Sequence, residues 1–182
     1  MSAHIKKSMR DALKAQRVHL AERLTHAGES ASEHFFSFFN FEPQTSFGIY
    51  WPMLTELDTR PLLHQLYGLG YTCALPCIID EGLEFHEWEP GLNLTKWDFG
   101  IMQPPLTTPI VNPDVVIVPL LAFDRKGHRI GYGKGHFDKF LHSHTGTFIG
   151  FGFAGQEIEA VPHESHDIPL HYIVTEEGVI EI

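Results

Sequence analysis

The sequence predicts an α/β domain in which helices are layered against a sheet. Segments of helical periodicity alternate with short β-branched or alternating segments along the chain, and Asp114 to Val118 is an apolar run suited to a buried central strand. The 182 residues, 43% hydrophobic and 20% charged, are enough for one sizeable core. No repeat, low-complexity tract or linker divides them, so residues 1–182 are expected to form a single domain.

From Ala3 to about Thr25, Ile5, Met9, Ala12, Leu13, Leu20 and Leu24 fall on one helical stripe, with Lys6, Arg10 and Arg17 along its edge. Gly28 is expected to end this helix. Ser30 and Glu33 have capping-box spacing for a second helix, whose Phe35, Phe36, Phe38 and Phe39 are expected in the core. Phe47 to Trp51 reads as a strand, Thr59 to Leu66 as a helix with Pro61 in its first turn, and Tyr71 to Ile79 as a strand interrupted by Pro76. After a turn at Asp80 to Gly82, Leu83 to Trp88 alternates like a strand, and Pro104 and Pro105 mark a loop. Beyond the central run, Gly127 to Gly135 is a loop, His136 to His144 a short helix and Thr147 to Phe153 a strand. Ile168 to Thr175 is another strand, able to pair with Val179 to Ile182.

A formal charge of -10 argues against a nucleic-acid binder. The absence of a long uncharged apolar run predicts a soluble, cytoplasmic protein that does not enter membranes. Cys73 and Cys77, roughly 13 Å apart in an extended strand, are too far separated for a disulfide and read as buried thiols. The cations are unevenly spread. Of 13 Lys and Arg, five lie between Lys6 and Arg17 and five between Arg125 and Lys139. Two such clusters can build a local anion site in an acidic protein, or can be two solvated helix faces.

The second cluster contains Gly127-His128-Arg129-Ile130-Gly131-Tyr132-Gly133-Lys134-Gly135-His136-Phe137-Asp138, which runs from a buried strand through a loop into a helix. Glycines at alternate positions 131, 133 and 135 remove the Cβ atoms that would hold an anion away from the backbone, and the helix start offers N–H groups. Arg129 and Lys134 add charge, and Asp138 could hold a divalent ion against phosphates or complement the helix dipole. It is not a Walker loop, because His128 stands at the first glycine position and Gly135 follows Lys134. It is not a dinucleotide fingerprint either, because His136 stands where the third glycine belongs.

Read with its flanks, this segment resembles the 5-formyltetrahydrofolate cyclo-ligase family. Lys6-x3-Arg10, Tyr50 to Thr59, Ile101-Met102-Gln103-Pro104, Pro119 to Asp138, and Asp167-Ile168-Pro169-Leu170 before Ile173-Val174-Thr175 match its motifs in order, over nearly the whole chain. The resemblance implies a three-layer domain with a mixed, largely parallel sheet, distantly similar to sugar-phosphate isomerase and CoA-transferase domains. It implies a monomer that uses ATP, with Mg²⁺, to convert 5-formyltetrahydrofolate to 5,10-methenyltetrahydrofolate. By the same resemblance Lys6 and Arg10 contact ATP phosphates, and Arg129, Ile130, Gly131, Tyr132, Gly133, Lys134, Gly135, His136 and Phe137 wrap the nucleotide. Arg129 and Lys134 carry the catalysis, Asp138 and Asp167 hold Mg²⁺, and Trp51 and Glu56 contact the folate together with Tyr132, Lys134 and His136. One departure is Phe137, where the family often has a tyrosine before the aspartate. Any role of that hydroxyl is absent here or falls to His136.

Three other readings compete. His163, His166 and His171 beside Glu164 and Asp167 could serve a metal-dependent hydrolase, although His163-Glu164-Ser165-His166 is one residue short of a zinc-protease helix motif and is flanked by Pro162 and Pro169. A non-catalytic module that merely binds nucleotide or folate would carry the same loop, and so could another ATP-dependent enzyme or a sugar-phosphate isomerase.

Overall fold

Helical periodicity at the amino terminus and β-branched runs in the middle produce, in the computed structural model of the chain, four helices and a large twisted sheet. Residues 2–80, 82–165 and 167–182 are described, with the side chains of all of these except residues 2–6 and Phe99. The elements are α1 (Ser2–Arg23), α2 (Ala27–Phe38), β1 (Ser46–Ile49), α3 (Arg60–Gly68), β2 (Thr72–Ile79), β3 (Gly82–Glu87), β4 (Thr95–Lys96), β5 (Met102–Gln103) and β6 (Ile110–Val111). They continue with β7 (Val115–Val118), β8 (Ala122–Phe123), β9 (Arg129–Ile130), α4 (His136–Ser143), β10 (Thr147–Phe151), β11 (Tyr172–Thr175) and β12 (Gly178–Glu181).

Eight strands form the main sheet in the order β12-β11-β10-β7-β1-β2-β3-β6. The five from β11 to β2 are mutually parallel, and antiparallel pairing is confined to the margins. In the registers Phe47↔Val115 and Ile49↔Ile117, one face carries Phe47, Ile49, Cys73, Leu75, Val115, Ile117, Ile149, Phe151 and Val174, all buried with residues of α2 and α3. The alternate residues Ala74, Val116, Val118, Phe148 and Ile173 are buried on the other face with Leu141 of α4. This period of two explains why the central strands are apolar throughout: both faces are covered. Each fully buried Phe, Leu, Ile or Val contributes about 1.5–3 kcal/mol.

Four expectations change. Gly28 does not end the first helix but lies within α2, which begins at Ala27 and whose N-cap, His26, makes no side-chain capping bond. A Cβ at Gly28 would stand 2.4 Å from the Asp58 carbonyl oxygen, so this glycine serves a close approach between α2 and the loop after β1. Of the four phenylalanines at positions 35, 36, 38 and 39, Phe35 is fully buried, with its ring against those of Phe36, Phe39, Phe41 and Phe47, whereas Phe38 is 50% exposed with its edge on Tyr172. The glycine-rich loop contains strand β9, which pairs with β8 in a small ribbon outside the main sheet. The cysteines are buried free thiols, as expected.

Pro76 does not interrupt β2. Pairing with β1 has ended at Ala74, so the proline stands where β2 has become an edge on that side. The early end of β1 and β7 beside the longer β2 leaves a recess at their carboxyl ends.

Candidate functional site

That recess is a cavity of about 660 Å³, within the usual range for small-molecule sites. Tyr50 and Trp51 following β1, Pro119 following β7, and Pro76 and Ile78 of β2 form its floor. Binding beyond the carboxyl ends of parallel strands is the general rule for such sheets. Residues 131–138 make one wall, the turn Met53 to Glu56 another, and Lys14, Arg17 and Val18 of α1 close a third.

The glycine wall is tied to the first helix. Arg10 Nε donates to the Gly131 carbonyl at 2.9 Å, and a Cβ at Gly133 (φ +92) would stand 2.8 Å from the Arg10 guanidinium carbon. Only glycine combines that left-handed backbone with so close a cation. The two cation clusters therefore meet, as the sequence suggests, with Arg10 packed against the bend rather than among the cavity-lining groups. The side chain of Lys6 lies outside the described residues. Ile130 is buried with Leu13, Leu121 and Val161, so its side chain serves the core.

Arg129, Tyr132, Lys134, His136, Phe137 and Asp138 all line the cavity. Nη2 of Arg129 donates to Oδ1 of Asp138 at 2.6 Å, and its buried Nε has no partner among the described residues. Asp138 is 55% exposed, so its carboxylate stands in solvent at the cavity rim. Phe137 packs edge-on against Phe85. The loop entering the wall is held from behind by Asp124, whose buried carboxylate accepts backbone N–H groups of Lys126, His128 and Val161 at 2.9 to 3.1 Å.

On the facing wall, the Met53–Glu56 turn is closed by the Glu56 N–H on the Met53 carbonyl and the Met53 N–H on Glu56 Oε2, at 3.0 and 2.8 Å. Leu54 takes the left-handed conformation (φ 52) and is 88% exposed at the mouth. Burial pushes the Glu56 carboxyl up to about 7, against the opposing pull of the Met53 N–H, the Arg17 charge and the Tyr132 hydroxyl. Trp51 lines the same space and leans on Trp88.

Arg17 and Lys14 are the cavity-lining cations that the sequence reading did not assign. Arg17 is only 1% exposed, donates to Thr55 Oγ1 at 3.2 Å and to the Tyr132 hydroxyl, and its guanidinium lies 5.1 Å from the Tyr132 ring centre. The spacing of Lys6, Arg10, Lys14 and Arg17, one turn apart along a helix, was the available signal.

Asp167 is not among the cavity-lining residues, and its carboxylate accepts the Glu164 N–H at 3.0 Å. His171 accepts the Phe148 N–H and His163 stacks on His128 at 3.7 Å, while His166 lies outside the described residues. Among the described residues no group of three or more His, Cys, Asp or Glu could hold a metal ion, and no helix is long and apolar enough to cross a membrane. The hydrolase reading gains nothing from this arrangement.

A match to the 5-formyltetrahydrofolate cyclo-ligase family runs from residue 2 to residue 176. The chain belongs to that family. Its members are ATP-dependent ligases of folate metabolism. Among relatives, the 5-formyltetrahydrofolate cyclo-ligase of Escherichia coli is 37% identical over 136 residues, covering 69% of this chain and 75% of the relative. That of Haemophilus influenzae is 27% identical, covering 96% of this chain and 99% of the relative. The structure of Aquifex aeolicus 5,10-methenyltetrahydrofolate synthetase superposes with a TM-score of 0.85 at 28% identity, over 97% of this chain and 92% of that one. The α/β fold with its mostly parallel mixed sheet is thus the fold of the family.

Proposed function

We propose that the cavity is where this cyclo-ligase family member joins ATP to 5-formyltetrahydrofolate and releases 5,10-methenyltetrahydrofolate, ADP and phosphate. One observation carries the reading: the glycine bend backed by Arg10 and the wall bearing Trp51 and Glu56 face a single space.

The formyl oxygen of an N-formyl group leaves poorly as hydroxide or oxide. In the proposed sequence it attacks the γ-phosphorus of ATP, a P–O bond to ADP breaks, and the oxygen becomes a phosphate ester. N10 of the folate then attacks the formyl carbon, the C–O bond breaks, phosphate departs, and the N10 proton is lost as the amidinium ring closes. Phosphoryl transfer of this kind is mainly a matter of alignment and charge.

The backbone of Gly131, Gly133 and Gly135 lets phosphate oxygens approach, Lys6 and Arg10 supply charge from α1, and Arg129 and Lys134 face the transferring group. Ile130 contributes through its backbone, and Tyr132, His136 and Phe137 line the passage to the folate. Trp51 covers the pterin face and Glu56 accepts its N–H donors, which suits a carboxylate.

Asp138 fits a magnesium ion: it is a hard oxygen ligand, exposed at the rim on the same wall as Lys134. Mg²⁺ usually takes one or two carboxylates plus phosphate and water oxygens, which agrees with the lack of a larger ligand cluster among the described residues. When bound, the ion would neutralise phosphate charge, with Asp138 as its ligand on the cavity wall; Asp167, which lies outside the cavity lining, gains no such support as a second ligand. Arg129 holds Asp138 in place by their ion pair.

We further read the chain as one cytoplasmic, monomeric domain, and its layering as distantly akin to sugar-phosphate isomerase and CoA-transferase domains; the floor of the cavity rests on one sheet whose two faces share the helices. The test is turnover. With 5-formyltetrahydrofolate and Mg-ATP the protein should generate the near-ultraviolet absorbance of the methenyl product catalytically; stoichiometric binding without product would make it a binding module instead.

A further inference from the structure

Arg17 stands out because nothing in the reaction scheme uses it, yet it is a cation buried beside the cavity. Burial of an isolated guanidinium costs several kcal/mol unless a partner compensates. Its two hydrogen bonds go to neutral hydroxyls, those of Thr55 and Tyr132, and Nη1 has no partner among the described residues. The anionic group in its field is Glu56. Tyr132 is the link between them: its hydroxyl accepts a hydrogen bond from Arg17, and its hydrogen bond to the Glu56 carboxyl is one of the causes that draw that carboxyl down. A guanidinium only donates, so the single proton of Tyr132 is left for Glu56.

We propose that Arg17 is a positioning residue for the folate carboxylate: by donating to the Tyr132 hydroxyl it directs that hydroxyl's own proton onto Glu56 and holds the carboxylate as an acceptor on the cavity wall. The inference rests on the reading of Glu56 as the folate contact. Because Tyr132 sits between Gly131 and Gly133, the same contact fastens the nucleotide bend to the folate wall.

The groups facing this carboxyl reinforce the assignment. Arg17 comes from α1, as does Lys14, whose ammonium lies 6.0 Å from the Tyr132 ring centre. Tyr50, at the end of β1, is fully buried, donates to the Leu57 carbonyl and is held neutral by that burial. Asp58 in the same loop is paired with Arg60, and Lys134 and His136 line the cavity beyond Tyr132. Arg17 and Tyr132 both pull the Glu56 carboxyl downward against its burial, Arg17 the more strongly.

The experiment measures binding of 5-formyltetrahydrofolate without nucleotide, by tryptophan fluorescence between pH 5 and 9, to the full chain and to Arg17→Met, Arg17→Lys, Tyr132→Phe and Glu56→Gln. The accepting form of Glu56 is the carboxylate, so wild-type affinity should rise with pH through about 7. Arg17→Met should move that rise to higher pH, weakening binding at pH 7 by about fivefold for the first unit moved and recovering toward pH 9. Arg17→Lys keeps the charge and should keep the wild-type midpoint. Tyr132→Phe should move the midpoint in the same direction by less, and it decides the matter if the methionine variant fails to fold. A loss of affinity equal at every pH in both Arg17→Met and Tyr132→Phe, with Glu56→Gln weak throughout, would overturn the proposal and leave the folate reading standing. Wild-type affinity in Glu56→Gln would instead remove the folate reading on which it rests.

Discussion

Lys134 stands on the cavity wall between two glycines, where no neighbouring Cβ separates it from an anion. A charge-assisted contact of this kind is worth about 1.5–3 kcal/mol, so Lys134→Ala should raise KM for ATP roughly 10- to 100-fold. Initial rates at saturating folate measure this, and an unchanged KM would take Lys134 out of the nucleotide site. At this scale the sequence was informative where chemistry depends on residue type in a local pattern: the alternating glycines, Arg129, Lys134 and Asp138 fall within ten residues and all reach the same wall or its flank. Arg17 was less legible: its helical spacing with Lys6, Arg10 and Lys14 hinted at a shared face, but an arginine on a helix reads as a surface cation. Its burial depends on Thr55 and Tyr132, which come from 38 and 115 residues away.

Elements with strong internal pattern were legible, α1 from its helical period and β7 from its uninterrupted apolar run, whereas β8 and β9 were not, since two-residue strands carry no pattern to read. Gly28 shows the same limit: a glycine near a helix end suggests a stop signal, but here its reason is the Asp58 carbonyl, on an element the local sequence does not include. The β8–β9 ribbon depends on Asp124. Burial raises that carboxyl, but the N–H groups of Val161, Lys126 and His128 and the His128 ring outweigh it and hold it below the usual carboxylate range. Removing several hydrogen bonds to one charge costs about 3 kcal/mol, so Asp124→Ala should fold with a Tm roughly 6–12 °C lower at pH 7. Because the folded-state value is the lower one, this stabilisation is complete above the unfolded value near pH 4 and is lost as pH falls through the folded one. Thermal melts should therefore show the gap between Asp124→Ala and wild type narrowing below about pH 4; a gap constant with pH would mean the ionised carboxylate is not its source.

Across the whole molecule, one sheet carries the cavity floor, and helices α2 and α3 on one face and α4 on the other share its strands. Calorimetry should accordingly record one cooperative transition. A non-hydrolysable ATP analogue at about 100 times its Kd adds about 2.7 kcal/mol, which should raise that single Tm by roughly 5–10 °C; two transitions would refute a single domain. The hydrogen bond from Arg10 to Gly131 spans 121 residues of chain. During synthesis, therefore, the first helix leaves the ribosome long before its receptor exists, and at about 5–20 residues per second it waits on the order of ten seconds with its cationic edge unmatched. A nascent chain truncated anywhere in that interval has the first helix but not the bend that receives it.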